Sequence, residues 1–346
     1  MSGKIKIAIP TGDPAGIGPE ICLKAALDPA VRAACDPIVV CDSGVIERHA
    51  KACGIKTEFK VVERVGDANW SDARVTVLAC PQPETATLPF GVVSPIAGRA
   101  SIAFCAAAVK AAMAGEVDAV VAAPQHEISV AQAGIKFDGH PSFVARQTGT
   151  DESSVYMMLC FGDTRIAHCT LHRSVREAIA LITRENVART IRAADAALKR
   201  LGIANAKIAV SGLNPHAGEG GLFGREEIEI IKPAMDIVAA EGLNVLGPFG
   251  ADTMFHMPGF DAFVVMLHDQ GHIATKLLAH NAAAALTIGT PILFASVAHG
   301  TGHDIAGKGV ANPAAMIEAV LRLSKAKKIS KSQPDGPRVP DAVQRH

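Results

Sequence analysis

Three histidines stand just after three predicted β-strands, and their side chains could together hold a metal ion. His172 follows the segment RIAHCTL, His216 follows KIAVSG and His268 follows FVVML. In an open α/β sheet the carboxyl ends of parallel strands line one crevice, so residues far apart in sequence can meet there. Neutral imidazoles suit zinc and leave a coordination position open for a substrate oxygen. For each histidine alone, an ordinary hydrogen-bonded imidazole is the alternative, but the repeated context favours a metal site.

Two pairs of histidines are spaced four residues apart, as in the helical zinc motif HExxH. The pairs are His268 with His272 and His299 with His303. Gly271 lies inside the first pair, Gly300 and Gly302 lie inside the second, and glycine disfavours a regular helix. The glutamate general base is also absent, so the sequence predicts no helical zinc motif at either place.

The segment TGDPAGIGPE, residues 11–20, follows the first predicted strand and leads into a helix. Such a loop turns backbone N–H groups toward a bound anion, which makes Asp13, Gly16 and Gly18 candidates for cofactor binding. The segment is not a Rossmann fingerprint, because Ile21 stands where the third glycine should be. Taken alone, it is compatible with a plain turn as well as with a ligand site.

A second glycine-rich loop, HGTGHDIAGKGVANP at residues 299–313, precedes the last predicted helix. Its glycines allow the backbone to wrap a flat ligand closely. The candidates that this loop contributes to cofactor binding are His299, Gly300, Asp304, Ile305 and Asn312.

The elements that must position these residues alternate along the chain. Short β-branched runs are followed by alanine-rich helical stretches, as in KIKIAIP, PEICLKAAL and PIVVCD, which predicts an α/β fold with a largely parallel sheet. Later predicted helices cover residues 100–114, 175–201 with a break near Thr183, and 225–241, and a last helix opens at Asn312-Pro313. The later predicted strands are DAVVAAP, KIAVSG, FVVML ending in His268, 285–288 and 292–296. From about Lys325 the chain is polar, basic and proline-bearing, which predicts a flexible tail over residues 325–346.

Composition sets the class of protein. The chain has 346 residues and a formal charge of zero. Of these residues 49% are hydrophobic, which is enough for a large core divided into two lobes. Balanced charge and 4% aromatic residues argue against nucleic-acid binding. No apolar run reaches the length of a membrane span and no signal peptide is evident. The eight cysteines include no C-x-x-C pair, which predicts buried thiols. We therefore expect a cytoplasmic enzyme with no membrane partner.

The two glycine loops in this order resemble those of the isocitrate and isopropylmalate dehydrogenase superfamily, which binds its nicotinamide cofactor without a Rossmann motif. At closer range the chain, from Ile7 to about Leu323, resembles the 4-hydroxythreonine-4-phosphate dehydrogenase (PdxA) family. The matching stretches are GDPAGIGPE, AGIKFDGH, LNPHAGEGGLFGREE, GPFGADTMF, MLHDQGHIATK and HGTGHDIAGKG. The resemblance implies a two-lobed α/β/α fold with the active site in the interlobe cleft. The expected lobes are residues 1–128 plus 274–324, which bind NAD or NADP, and residues 129–273, which hold metal and substrate and form a dimer.

The resemblance also implies roles for single residues. The family's three metal ligands fall on His172, His216 and His268, and the expected ion is divalent, zinc first and magnesium or manganese otherwise. A homodimer is implied, with active sites at the subunit interface and metal ligands drawn from both chains. The family's substrate-contacting histidine matches His140, and its lysine matches Lys276.

Three substrate positions depart from the family. The chain has Pro141 in place of threonine, Ala285 in place of asparagine and Phe294 in place of arginine. These changes remove charge-assisted hydrogen bonds that hold phosphate oxygens. The stretches PQHEISVAQAGIKFDGHPSF, TLHRSVREAI, MLHDQGHIATKLLA and SVAHGTGHDIAGKGVA resemble the terephthalate dihydrodiol dehydrogenase branch, which acts on a cyclic cis-diol dicarboxylate. Phe294 and residues 282–285 would then be an apolar wall for a ring, or else ordinary core packing.

We therefore expect NAD(P)-linked oxidation of a secondary alcohol next to a carboxylate-bearing carbon, followed by decarboxylation. A metal on the three histidines would lower the pKa of the hydroxyl and polarise the ketone. Lys276 is expected to transfer a proton or pair with a carboxylate. Asp252 is expected to orient the substrate or a ligand histidine, and Asp269 either to do the same or to cap the next turn. The alternatives are a 4-hydroxythreonine-4-phosphate or related sugar-acid phosphate dehydrogenase, a metal-dependent hydrolase, and a non-catalytic ligand-binding protein.

Overall fold

The computed structural model describes residues 3–279 and 283–326. Most of the expected tail, and Ala282 of the expected apolar wall, therefore lie outside the described residues. The strands are β1 Ile5–Pro10, β2 Cys35–Cys41, β3 Phe59–Val62, β4 Val75–Ala79, β5 Ala119–Ala122, β6 Tyr156–Phe161, β7 Thr164–His168, β8 Lys207–Ser211, β9 Asn244–Phe249, β10 Ala262–Val265, β11 Ala284–Ile288 and β12 Leu293–Val297. The helices are α1 Gly18–Leu27, α2 Pro29–Ala34, α3 Ser43–Ala52, α4 Pro95–Met113, α5 Glu127–Gln132, α6 His140–Thr148, α7 Val175–Leu181, α8 Arg184–Arg200, α9 Lys232–Ala240, α10 His268–Ala279 and α11 Ala314–Ser324.

The strands form one sheet in the order β3-β4-β2-β1-β5-β12-β11-β6-β7-β10-β8-β9. All neighbouring pairs are parallel except β12 with β11, β11 with β6 and β6 with β7. The predicted largely parallel α/β sheet is therefore confirmed. The three antiparallel contacts reverse the direction of the sheet, so that β7, β10, β8 and β9 run opposite to β1, β2, β5 and β12. The carboxyl ends of the two halves consequently lie at opposite edges.

The pattern of side chains explains these elements. Strands such as β1 are almost wholly buried, as expected for parallel strands covered by helices on both faces. Helix starts follow capping signals: the Ser94 side chain accepts a hydrogen bond from the N–H of Ile96 at the start of α4, and Ser174 and Glu177 form a capping box at α7. The predicted break near Thr183 is the N-cap of α8.

Helix α4 corrects one expectation from composition. Its 19 residues are long and apolar enough to cross a membrane by length and composition, although no such segment was expected. Half of this stretch is buried, and α4 packs against β1, β2 and β5 and against α5 and α6. The structure therefore uses α4 as a core helix.

Other boundaries also differ from the expectation. The predicted helix 225–241 begins as a π-helical turn, Glu227–Ile231, that runs into α9. The expected lobe limits at residues 128 and 273 fall inside α5 and α10. The strands of the two expected segments nevertheless occupy two contiguous parts of the sheet, meeting between β11 and β6. The division into two lobes stays a prediction.

Candidate active site

A cavity of about 580 Å³ lies over the central strands of the sheet. Its floor comes from β6, β11 and β12, including Met157, Leu159, Ala285 and Ser296. Helix α10 and the loop after β7 flank one end, and the loops after β5 and β12 flank the other. The cavity therefore extends from the carboxyl ends of β5 and β12 to the loop that follows the carboxyl end of β7.

At one end of the cavity two of the predicted metal ligands come together. The ring centroids of His172 and His268 are 5.6 Å apart. The loop that carries His172 is tied to the end of β10, because the N–H of Cys169 donates to the carbonyl of Val265 and the Thr170 hydroxyl donates to that of Met266. This pairing of β7 and β10, which are adjacent parallel strands, confirms that the two strand ends share one edge.

The side chain of Gln270 fixes the turn before His268. Its Oε1 accepts hydrogen bonds from the N–H groups of Met266 and Leu267, and its Nε2 donates to the carbonyl of Gly212 at the end of β8. The Asp269 carboxylate lies 2.7 Å from Nδ1 of His268. That contact orients the ring and leaves Nε2 of His268 free for a ligand, the arrangement that metal-binding histidines usually show.

His216 lies at the same edge, on an exposed turn. Its side chain is 65% exposed, and it is not among the residues that line the cavity. The loop runs through left-handed backbone conformations at His216, Ala217 and Glu219, which non-glycine residues adopt at a cost and mostly at functional sites. The buried Glu227 holds the loop by accepting hydrogen bonds from the N–H groups of Leu213 and Asn214. Within the described parts of one chain, no group of three or more potential ligands is arranged around a common centre.

Helix α10 corrects the expectation that His268 and His272 do not lie on a regular helix. Both are on α10, and their rings stack with centroids 3.6 Å apart. Gly271 is tolerated because buried His168, the last residue of β7, fills the space beside it; a Cβ at this position would lie 2.8 Å from Ile166 Cγ2 and 2.9 Å from His168 Cε1. The expectation for the second pair is confirmed, since residues 299–303 are not helical.

One face of α10 lines the cavity through His272 and Lys276, which are four residues apart. His268, one turn earlier, lies beside His172 but is not itself a lining residue. Nδ1 of His272 is 3.1 Å from the carbonyl oxygen of His268. A carbonyl can only accept, so Nδ1 carries the proton and Nε2 is an acceptor. Burial, and next His268, hold the pKa of His272 at about 4. Lys276 is exposed to the cavity and has no carboxylate partner among the residues described.

His140 and Phe294 lie one above the other. His140 lines the cavity as predicted, and its ring packs 5.4 Å from that of Phe294. Nε2 of His140 is buried without a partner in the described chain, and burial holds the pKa of His140 at about 4. Phe294 is 1% exposed and belongs to the core beneath. Of the two interpretations of Phe294, the structure supports core packing rather than a cavity wall, whereas Ala285 and Pro141 do line the cavity.

Asp252 lies outside the cavity. It is exposed in the loop after β9. Its Oδ1 lies against the backbone of Gly250, since a Cβ added to that glycine would be 2.7 Å from this oxygen. Strand β9 contacts the turn that carries His216. Within one chain, Asp252 is therefore near the His216 edge rather than the Lys276 face.

The two predicted cofactor loops are in direct contact. The N–H of Ile17 donates to the Thr301 carbonyl over 2.8 Å, and a Cβ on Gly16 would lie 2.6 Å from the same oxygen. Gly18 packs equally closely on the carbonyl of Thr11. Both glycines thus serve the packing of the loops, and neither lines the cavity.

Glu20 and Lys24 fasten the second loop to α1. The buried Glu20 carboxylate accepts the N–H of Ala311 and pairs with Lys24, whose Nζ also donates to the carbonyls of Gly309 and Ala311. Of the predicted residues of this loop, His299 and Gly300 line the cavity. Asp304 and Asn312 are exposed, and Ile305 packs against the core.

Sequence reasoning named Asp13 but missed the polar cluster that it forms with His303 and His126 at this end of the cavity. Asp13 is buried, and its Oδ2 lies 3.1 Å from Nε2 of His303. The ring of His303 stacks on that of His126 at 4.4 Å, and His126 lines the cavity together with Gln125. The segment QHEIS directly after the strand DAVVAAP was the available signal, because a polar residue at a strand end faces the crevice.

Comparison with known proteins places this site in a class. The model of the family "Pyridoxal phosphate biosynthetic protein PdxA" matches residues 33–322. The 1,2-dihydroxy-3,5-cyclohexadiene-1,4-dicarboxylate dehydrogenase of a Comamonas species is 39% identical over 320 residues, covering 92% of this chain and 96% of the relative. The molecule is thus an α/β dehydrogenase. More particularly, the chain belongs to the PdxA family.

Two similar solved structures are named for different substrates. The 4-hydroxythreonine-4-phosphate dehydrogenase of Burkholderia phymatum has 37% identity and a TM-score of 0.84, covering 94% of this chain and 98% of that one. The terephthalate 1,2-cis-dihydrodiol dehydrogenase of Burkholderia xenovorans LB400 has 40% identity and a TM-score of 0.72, covering 93% and 98%. Identity is higher with the diol enzyme, whereas the backbone superposes better on the phosphate enzyme. The cavity itself must therefore decide.

Proposed function

We propose that this chain is a metal-dependent, NAD(P)-linked dehydrogenase that oxidises the secondary alcohol of a cyclic cis-diol carboxylate, whose product then loses carbon dioxide. The lining of the cavity is the observation that carries this proposal. Apolar and small residues form its floor, and among its described lining residues Lys276 is the one cation and Glu127 the one anion. A phosphate dianion is usually held by charge-assisted hydrogen bonds from several cationic groups, whereas the described lining offers one lysine and no arginine.

The compound named for the Comamonas relative meets the requirements of the cavity. Its C2 carries a secondary alcohol, and the adjacent C1 carries a carboxylate and a hydroxyl. Removal of a hydride from C2 and a proton from its hydroxyl gives a ketone β to the C1 carboxylate. Loss of carbon dioxide leaves the bonding electrons in the ring, which becomes aromatic as 3,4-dihydroxybenzoate. The nicotinamide takes the hydride, and dehydrogenases of this family in general use such a cofactor and a metal.

The histidine end of the cavity fits a divalent ion. His172 and His268 face each other, and Asp269 leaves Nε2 of His268 free. A bound ion, most simply zinc, would act as a Lewis acid that lowers the hydroxyl pKa and favours decarboxylation of the ketone. No third potential ligand joins His172 and His268 around a common centre within the described residues of one chain, and the His216 side chain is 65% exposed, so a second copy of the chain would supply the third imidazole.

The side chains of α10 then have defined tasks. Nε2 of His272 is an acceptor and suits a substrate hydroxyl rather than a phosphate or carboxylate oxygen. Lys276, without a carboxylate partner in the described residues, pairs with the carboxylate next to the alcohol or carries the proton. Neutral His140 stands over Phe294 and closes the ring side of the cavity. Each task needs no charge beyond the one ammonium group.

A homodimer with shared active sites is supported by exposed apolar side chains around the predicted ligands. They are Val175, Ile179 and Leu181 on α7, Leu222, Phe223 and Ile228 near His216, and Ile273, Leu277 and Leu278 on α10. Exposed apolar side chains grouped in this way usually mark an interface. Light scattering should give twice the chain mass, and a monomer that turns over substrate would contradict shared sites.

The cysteines support the expected cytoplasmic location. All eight are free thiols, and burial raises the pKa of every one, for example that of Cys41 to about 12. Such thiols are unreactive packing residues. Free thiols without disulfides are typical of a reducing compartment.

Absorbance of the reduced nicotinamide tests the proposal. The protein is supplied with zinc and with NAD or NADP, and receives the cis-dihydrodiol dicarboxylate and 4-hydroxythreonine phosphate in parallel reactions. We expect turnover of the diol, abolished by a chelator and restored by zinc. Turnover of the phosphate ester alone would overturn the substrate assignment while leaving the metal and cofactor proposals standing.

A further inference from the structure

We propose that His126 binds the second carboxylate of a dicarboxylate substrate, the one that stays on the ring, through a hydrogen bond from its Nε2–H. This inference rests on the proposed function and names a binding group for the part of the substrate that the α10 residues leave unaccounted for.

The hydrogen bonds of His126 fix which nitrogen carries the proton. Its Nδ1 accepts the N–H of Ser129 over 3.2 Å, capping α5, and lies 3.0 Å from the Ser129 hydroxyl. A nitrogen that accepts an amide hydrogen has no proton of its own, so in the neutral ring the proton is on Nε2. No group in the described chain accepts a hydrogen bond from that Nε2, and the residue lines the cavity. His126 therefore offers the cavity a donor.

The ring of His126 is held rigidly in this orientation. One face stacks on His303 with an interplanar angle of 17°, and His303 is fixed by the buried carboxylate of Asp13. Burial, followed by the neighbouring His303, lowers the pKa of His126. The donor is thus preorganised and neutral, so it can bind a carboxylate without an ion pair.

The charges that face His126 limit which anion it can accept. Glu127 follows it at the start of α5, and Asp13 lies behind His303. Two carboxylates nearby and no lysine or arginine among the described lining residues of this end disfavour a phosphate dianion. A single carboxylate can be held by neutral donors, as buried carboxylates often are. The neighbouring amide of Gln125 donates from its Nε2 to the carbonyl of Ser101 over 3.4 Å, so the proposal rests on His126.

Position in the cavity supports the same assignment. His126 follows β5, whereas His172 follows β7, and β12, β11 and β6 lie between these strands. His126 is therefore at the opposite end from the metal-ligand histidines. The C4 carboxylate is para to C1, which loses carbon dioxide, and therefore points away from the metal toward this end of the cavity.

A cap-preserving variant separates the donor from the fold. His126→Asn keeps an oxygen that can cap α5 but removes the cavity-facing Nε2–H, and His126→Ala removes both. The substrates are the cis-dihydrodiols bearing carboxylates at C1 and C4 or at C1 alone. We expect the ratio of kcat/KM for the first substrate to that for the second to fall about 10- to 100-fold in both variants. An unchanged ratio, or a change confined to the KM for the nicotinamide, would overturn the proposal.

Binding without turnover distinguishes this proposal from the proposed function. Calorimetry with terephthalate and with benzoate, on the metal-loaded wild-type protein and on His126→Asn, measures the same carboxylate preference. Suppose that the wild type oxidises no diol and yet prefers terephthalate to benzoate, and that this preference is lost in His126→Asn. In that case the proposed function fails and the subsite stands. If the wild type has no such preference, or the variant keeps it, the subsite fails whatever the substrate.

Discussion

Gly271→Ala tests the contact that sets the position of α10. The added methyl group would lie 2.8 Å from Ile166 Cγ2 and 2.9 Å from His168 Cε1, and closer still to Nε2, whereas carbon atoms in contact are separated by about 3.5–4.0 Å. The first turn of the helix must therefore move by about 0.5–1 Å. Overpacking of this kind costs about 1–3 kcal/mol, and replacing a helical glycine by alanine returns about 1 kcal/mol. We expect a net loss of up to about 2 kcal/mol in the free energy of unfolding.

The same movement should weaken the metal site, because His268 is the first residue of α10. Metal ligands must sit within about 0.2 Å of their ideal distances, so we expect zinc affinity to fall about 10-fold or more. Urea unfolding of the metal-free protein measures the first effect, and a chelator competition titration measures the second.

His168→Ala provides the matched control. It removes the ring that the new methyl group meets. The double variant should therefore lose less unfolding free energy than the sum of the losses in the two single variants, by about 1 kcal/mol or more. A Gly271→Ala variant that is more stable than the wild type and binds zinc equally well would refute the packing argument.

Three further changes test single residues. His216→Ala should abolish tightly bound metal and turnover while leaving the circular dichroism spectrum unchanged; an active, metal-free variant would remove His216 from the site. Phe294→Arg places a charge at a position that is 1% exposed, so we expect a loss of at least about 3 kcal/mol in unfolding free energy and no gain with phosphate esters; normal stability with improved phosphate turnover would contradict this burial. Burial lowers the pKa of His140 from 6.5 to about 4, so the unfolded chain takes up the proton first as pH falls, and His140 alone should contribute a loss of up to about 2–3 kcal/mol in stability between pH 6.5 and 4. His49, His168 and His272 add to the wild-type loss, so His140→Gln should make the curve less steep by that amount; equal slopes would show that His140 does not titrate as expected.

Hydrophobic periodicity predicted most of the fold, because buried strands such as β1 and capped helices such as α8 carry local signals. The reversal of the sheet was not predicted, since it depends on β6, whose segment YMMLCF was not recognised as a strand. The turn Gly162-Asp163 between β6 and β7 is a hairpin signal that could have revealed it.

Contacts between distant segments explain the errors at the site. The helix at His268 was rejected because Gly271 was judged by propensity alone, whereas His168, about a hundred residues earlier, creates the need for a glycine. Phe294 was offered as a cavity wall because it stands where the resembling family has arginine; the alternative of core packing follows only from the burial of its strand beneath His140. His126 was missed because its role depends on Ser129 and on the stack with His303, neither of which a local pattern shows.

Product analysis tests the central claim most directly. The zinc-loaded protein is incubated with 1,2-dihydroxy-3,5-cyclohexadiene-1,4-dicarboxylate and NAD or NADP, and reduced nicotinamide, carbon dioxide and aromatic product are quantified together. The account predicts equal amounts of all three, with 3,4-dihydroxybenzoate as the aromatic product and none of them formed in the presence of a chelator. Reduced nicotinamide without carbon dioxide, or no reaction under conditions in which 4-hydroxythreonine phosphate is oxidised, would contradict it.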